Sequence, residues 1–419
     1  MDVRDGSPGG DFRPASRCSG IIARRYPGED GGQDRMKHPT QVRLIREALA
    51  AIERGSPPLA ETFTKNRASV YTDPRRAAME REILFGGYPI VVGFSSEFRA
   101  PGDYAADDLS PVPTLVVRNE RGELRAFANI CRHRGARLVQ GTGHGAVRFT
   151  CPYHAWSYDT DGRLRAIPDE YGFAGLERER CGLVEFPVAE KYGMVWAIAK
   201  PGARFEIDEH LGGLAEDLES YRLDSFELYE RRVLRRPMNW KLVSDTFWEG
   251  YHIKVLHRAT IAPLFVRNLA LFEPFGKNHR LVGVRTSIEK LRGRPENEWD
   301  LLPHATILMN LFPNTVAVMQ SDHLEVFRIF PAPGRADESI TEVNVLVPRR
   351  NTAGAPERQW SRVMELLLGV VEEDFAVGEK IQRNFESGAV GEVVYGRFEP
   401  ALEHFHRSIR DALGERAPG

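Results

Sequence analysis

The sequence predicts an α+β protein of two modules, all-β over 81–200 and mixed over 201–415. Three observations lead there. From about 80 to 200 the chain is a run of short apolar or alternating segments separated by turn signals. Beyond 205 helical periodicity is mixed with longer strand-like runs. Each half also holds one close set of metal-ligating residue types, Cys and His in the first, His with acidic residues in the second.

At 419 residues the chain has room for more than one core. Hydrophobic content of 42%, charged content of 28% and a formal net charge of -2 are those of an ordinary globular protein. They leave no basic field to attract nucleic acid. No run of eighteen apolar residues exists to span a membrane, and the start lacks the charged opening and apolar stretch of a secretory signal. The expectation is a cytoplasmic protein. Residues 1–35 are rich in Gly, Pro and charge and read as a disordered extension, with Met36 as the true start. Helical spacing from Val42 makes 36–80 an N-terminal helical segment.

In the first module Pro89-Ile-Val-Val-Gly-Phe, Pro113-Thr-Leu-Val-Val-Arg, Leu124-Arg-Ala-Phe-Ala-Asn and Met194-Val-Trp-Ala-Ile-Ala have strand length and composition. Asn119-Glu-Arg-Gly and Asp159-Thr-Asp-Gly are hairpin turns between strands. In the second module helices are expected near 212–222, 239–256, 355–387 and 399–414. Strands are expected at 279–288, 304–320, 323–331 and 339–348.

Cys131 and His133 stand one residue apart, Cys151 and His154 two apart, with seventeen residues between the pairs. One thiolate and one imidazole from each pair suit a [2Fe–2S] centre with Cys131 and Cys151 on one iron and His133 and His154 on the other. Replacing two thiolates by neutral imidazoles makes the cluster less negative and raises its potential. The other reading is a structural Cys2His2 zinc site, although the usual finger keeps its two Cys together and its two His together. Cys18 and Cys181 show no pairing pattern and read as plain thiols.

In the second module His252 and His257 are five residues apart. On a regular helix that is about 500° of turn, which leaves the rings roughly 140° apart. The helix must loosen there, as at a π-type bulge, for both to reach one metal. A mononuclear iron site needs two His and one carboxylate with positions left open. Leu367, Val370, Asp374, Val377, Ile381 and Phe385 recur at intervals of three and four, placing Asp374 on an apolar stripe from which Glu372, Glu373 and Glu379 fall away. A buried acid there needs a metal or a cation, so the other reading of Asp374 is a buried salt bridge. Glu249, three residues before His252, shares its helical face, and Asp245 lies one turn earlier as a second partner for the ligands. The remaining His, such as His144, His210, His304 and His323, lack ligand spacing, and His404 and His406 fall in the last helix.

Asn-Ile-Cys131-Arg-His133-Arg-Gly and Cys151-Pro-Tyr-His154-Ala-Trp-Ser-Tyr resemble the Rieske motif of Rieske non-haem iron oxygenases. Asn239-Trp-Lys, Tyr251-His252-x4-His257 and Glu373-Asp374-x4-Glu379-x2-Gln382 resemble the same family's catalytic segments. The resemblance covers roughly 80–410 and implies the α (terminal oxygenase) subunit of an aromatic ring-hydroxylating dioxygenase. Its fold would be an all-β Rieske domain plus a helix-grip (START-like) domain with a curved antiparallel sheet. Its cofactors would be a Rieske [2Fe–2S] cluster and mononuclear Fe(II) on His252, His257 and Asp374. The resemblance implies that the acid at Glu249 bridges a Rieske His of one subunit to an iron-ligand His of the next. That means a ring-shaped homotrimer, with or without a β subunit.

Gly141-Thr-Gly-His-Gly lies in the Rieske loop region without the βα context of a dinucleotide site, so an NAD(P)H-dependent reductase must be another protein, with or without a ferredoxin. Aromatic or polycyclic ring hydroxylation is the leading expectation from the family. Glu249, where Asp is usual, favours instead a monooxygenase acting on a quaternary ammonium compound such as carnitine or betaine. Phe265, Phe272, Phe275, Phe312 and Tyr395 would build either a ring pocket or a cation cage. A non-catalytic electron carrier would need only the Cys131–His154 site. Peptide mapping of the native protein is expected to find no abundant peptides from residues 1–35, and their abundance would overturn the Met36 start.

Overall fold

The computed structural model describes residues 36–349 and 357–415, so the expectations for 1–35 and Cys18 lie outside the described residues. No helix among them is long and apolar enough to cross a membrane. The helix His38–Arg54 closes at Gly55, whose φ of 67° is the left-handed cap that glycine takes without strain. Its buried face of Leu44, Ile45, Ala48 and Leu49 packs into the core of the second module, and Arg43 and Arg46 pair with Glu273 and Glu296 of that module.

The four strands expected in the first module are present as Ile90–Phe94, Thr114–Arg118, Leu124–Ala128 and Met194–Ala197, in small antiparallel sheets. Both expected turns form. Gly122 and Gly162 take φ of 79° and 77°. At Gly162 a Cβ would also meet the Phe127 ring at 2.5 Å, so both backbone and packing require glycine there.

The second module is a seven-stranded antiparallel sheet ordered Phe226–Arg236, Ser339–Pro348, Leu324–Pro331, Thr315–Met319, Ala305–Leu311, Asn278–Arg285 and Phe265–Phe275. The helices Trp240–Asp245, Glu357–Glu386 and Pro400–Leu413 accompany it. Three expectations need correction. The run 304–320 is a hairpin, because Pro313 carries no N–H to continue a ladder. The helix expected over 239–256 stops at Asp245 and resumes only at Ile253–Leu256, so a full break takes the place of a π-type bulge. The strands Phe226–Arg236 and Phe265–Phe275 were not anticipated. They are the two edges of the sheet, where partial exposure and charge blur the alternation that marks an inner strand.

The modules share one core, in which Val92, Phe98 and Val116 of the first meet Val316, Phe327 and Val343 of the second. Arg328 fastens the join. Its buried guanidinium donates to Asp107 of the first module and to Glu342 of the second, both at 2.8 Å. Removing one partner of such a buried set strands the others. We expect Arg328→Met to cost about 3–5 kcal/mol in urea unfolding, and a loss below about 1 kcal/mol, the worth of an exposed pair, would contradict this.

Candidate metal centres

The two loops bearing Cys131–His133 and Cys151–His154 have matching backbones. In each, the Cys N–H donates to the carbonyl five residues on, Ala136 or Trp156, at 2.8 Å. In each, the N–H of the fourth residue on, Gly135 or Ala155, returns to the Cys carbonyl at 2.9 Å. Both of these residues adopt positive φ, 76° and 56°. The repeated turn presents one thiol and one imidazole from each loop. Cys131 and Cys151 are buried, while His133 and His154 are half-buried with ring centroids 4.6 Å apart.

Tyr158 steadies the first loop, its hydroxyl accepting from Arg132 N at 3.0 Å and lying 3.4 Å from Cys131 Sγ. Trp156 stacks on His133 at 4.9 Å. Burial, together with the neighbouring Cys151, pushes the Cys131 thiol up. His133 Nδ1 is buried with no hydrogen-bond partner. An orphaned imidazole nitrogen beside two buried cysteines and a second imidazole fits a Rieske [2Fe–2S] cluster.

The second centre comes from the broken helix and the long helix Glu357–Glu386. Side-chain ligand atoms of His252, His257 and Asp374 all lie within 4.8 Å of one another. Asp374 Oδ1 stands 3.4 Å from His252 Nε2 and 3.1 Å from His257 Nε2. Each imidazole is held from behind by a carboxylate. His257 Nδ1 donates to Glu373 Oε2 at 2.6 Å, and His252 Nδ1 to Glu249 Oε1. Glu249 Oε2 also accepts from His252 N at 3.1 Å, so the acid reaches its neighbour across an open turn and not along a helical face. Burial works against a charged His257, yet Asp374 and Glu373 outweigh it and leave its pKa raised. Two neutral imidazoles and one carboxylate fit mononuclear iron.

Glu373 was the residue sequence reasoning missed. The buried face of the long helix runs through Val371, Phe375, Gly378 and Gln382, one position off the expected stripe, and Val377 is exposed. Asp374 sits at the edge of that face, which lets Glu373 reach His257 and accept from Thr260 Oγ1 at 2.9 Å. The available signal was the need of a metal-bound His for an acceptor at its other nitrogen. Asp245 makes its hydrogen bonds elsewhere, accepting from Tyr71 OH at 2.6 Å and His406 Nε2 at 2.9 Å.

A cavity of about 620 Å³ runs from the three ligands to the sheet. Of the five aromatics expected to line a substrate site only Phe265 does so. Phe272 packs on His279 and His404, Phe275 under Arg280, Phe312 on Tyr88, and Tyr395 on His406. Phe247 and Phe327 take part instead. His323 also lines the cavity, bonded to Asp322 at 2.7 Å and Glu325 at 3.1 Å. Burial lowers its pKa, but the two acids prevail and raise it to about 9.

Two tests follow from this geometry. Glu373→Ala should weaken metal binding about 10–100-fold, read by Co(II) titration of protein stripped of the mononuclear metal. An unchanged affinity would show that Glu373 does not orient His257. Because the folded pKa of His323 exceeds the ordinary 6.5, its stabilisation is full below pH 6.5 and is lost as pH rises through about 9. Wild-type stability should fall over that window by on the order of 3 kcal/mol relative to His323→Gln, and parallel curves would contradict the pairing.

Comparison with known proteins matches residues 88–177 to the Rieske [2Fe-2S] domain family and residues 223–415 to the ring hydroxylating alpha subunit (catalytic domain) family. The chain is 29% identical over 371 residues to the glycine betaine monooxygenase oxygenase subunit of Chromohalobacter salexigens, covering 78% of this chain and 80% of that one. It is 33% identical over 190 residues to the biphenyl 2,3-dioxygenase subunit alpha of Rhodococcus jostii, covering 44% and 41%. The structure of the quaternary ammonium Rieske monooxygenase CntA with L-carnitine superposes with a TM-score of 0.72 at 23% identity, over 86% of this chain and 97% of that one.

Proposed function

Because the chain belongs to the Rieske non-haem iron oxygenases, as a terminal oxygenase α subunit, we propose that it is a monooxygenase of a quaternary ammonium compound. The observation that carries this is the charge in the cavity wall. Arg285, Asp322, His323 and Glu325 line the cavity together with further charged and polar groups such as Lys254, Arg258, Arg267 and Gln320, and with apolar side chains such as Leu308, Phe327 and Val370. A hydrocarbon ring would desolvate those groups and offer them nothing in return, whereas a charged substrate pairs with them. The alignments point the same way, since the betaine oxygenase matches over most of both chains and the biphenyl enzyme over less than half. The expected aromatic substrate therefore gives way to the quaternary ammonium alternative.

Iron, when bound, supplies the activation of dioxygen; the protein supplies position and electrons. Glu249 and Glu373 turn His252 and His257 so that their Nε2 atoms meet Asp374, leaving the cavity side open. Phe247, Phe265 and Phe327 give that side part of its apolar wall. Insertion of one oxygen atom into an N-alkyl C–H bond, the other leaving as water with two electrons and two protons, gives an N-hydroxyalkyl cation that falls apart to an aldehyde, a proton and a tertiary amine. A separate reductase delivers the electrons, drawn from NAD(P)H with or without a ferredoxin.

The route within the enzyme runs between subunits of a homotrimer, from His133 or His154 of one chain through Glu249 to His252 of the next. Support comes from exposed apolar side chains beside both ends. Tyr153 is 60% exposed next to His154, and Tyr251 and Val255 are 58% and 77% exposed around His252. A single turnover of chemically pre-reduced protein with ¹⁸O₂ and a mixed pool of quaternary amines, aromatic acids and hydrocarbons tests the reading. One labelled oxygen with loss of an alkyl group or amine is expected. A ring product carrying both labels would restore the aromatic reading.

A further inference from the structure

Arg285 ends the strand Asn278–Arg285 and lies in the cavity wall, only 6% exposed. Its Nη2 donates to Gln320 Oε1 at 2.6 Å and Thr306 Oγ1 at 3.0 Å. Its Nε is buried without a partner, and no carboxylate among the described residues lies within ion-pair distance of it. The two nearby acids are already engaged. Asp322 and Glu325 flank His323 from either side, and Gln320 stands between Arg285 and Glu325, its Nε2 at 3.4 Å from Glu325 Oε1. Burial pulls the guanidinium below its ordinary value, with those acids only partly offsetting it.

A buried guanidinium is costly unless paired, and Arg328 in this same sheet is given its carboxylates by the protein itself. At Arg285 the protein supplies neutral acceptors for one edge and leaves the rest to the cavity. We infer that Arg285, steadied by Gln320 and Thr306, is an anion subsite that receives a carboxylate of the substrate. Resting on the quaternary ammonium reading, this narrows the substrate to a zwitterion with the ammonium at the iron end and the carboxylate at the sheet end. Simple cations without a carboxylate are then poor ligands. The subsite sets affinity and placement, and Arg285 is a positioning residue with no part in oxygen transfer.

The test is anaerobic calorimetric titration of the loaded holoenzyme with two matched pairs, γ-butyrobetaine against its methyl ester and 3-phenylpropionate against its methyl ester. In the pair that binds, the acid should be favoured about 100-fold over the ester, the size of a charge-assisted two-point hydrogen bond. Arg285→Met should erase that preference, weakening the acid far more than the ester, and Arg285→Lys should keep part of it. An unaltered cluster spectrum and thermal midpoint show that each variant is folded. Equal binding of acid and ester, equal loss of both in Arg285→Met, or no binding by either pair would overturn the subsite. If only the phenyl pair binds and depends on Arg285, the subsite stands and the quaternary ammonium reading falls. If γ-butyrobetaine binds without regard to Arg285, the reading stands and the subsite falls.

Discussion

Two imidazoles held by three carboxylates set the terms for the catalytic half of this protein. Glu249 and Glu373 accept hydrogen bonds from Nδ1 of His252 and His257, and Asp374 faces both Nε2 atoms. The three carboxylates converge on two imidazoles in a site where His257 is only 1% exposed. A divalent metal held by His252, His257 and Asp374 would offset the charge of the surrounding carboxylates. The same carboxylates that favour a bound cation orient its ligands, so affinity and geometry share a cause.

Bringing these residues together is a problem of register between two distant elements, and a set of buried polar side chains solves it. Asn239 caps the helix Trp240–Asp245 through Lys241 N at 2.9 Å, and its own N–H donates to Gln382 Oε1 of the long helix at 3.0 Å. Trp240 and Lys241 both donate to the fully buried Glu80, at 2.8 and 2.7 Å. Asp245 closes the set through Tyr71 and His406. These bonds tie the first helix of the broken segment to the long helix, to the stretch before the first module and to the C-terminal helix. The His ligands can then sit on an irregular stretch, because the helix that leads into it is fixed by these bonds.

Much of this was legible in the residues. The Cys131–His154 spacing, the pair His252 and His257, and Asp374 within a helix all come together as expected, because ligand chemistry restricts residue type and spacing more tightly than propensity restricts backbone. What escaped had physical reasons. Edge strands such as Phe226–Arg236 lack clean alternation. The break after Asp245 depends on tertiary bonds from Asn239 and Asp245 that no local pattern shows. The helix stripe was misplaced by one residue because Phe375 and Asp374 compete for the same face, and that slip concealed Glu373. The cavity aromatics were misjudged because which face of a strand looks inward is decided by the sheet's partners, which sequence order does not reveal.

The central claim is that His252, His257 and Asp374 hold one iron apart from the two of the cluster. It is tested most directly by iron analysis with visible and electron paramagnetic resonance spectra on wild type and Asp374→Ala. The account predicts three irons per wild-type chain and two in the variant, with the Rieske spectrum unchanged between them. Three irons in Asp374→Ala, or two in wild type after iron loading, would contradict it.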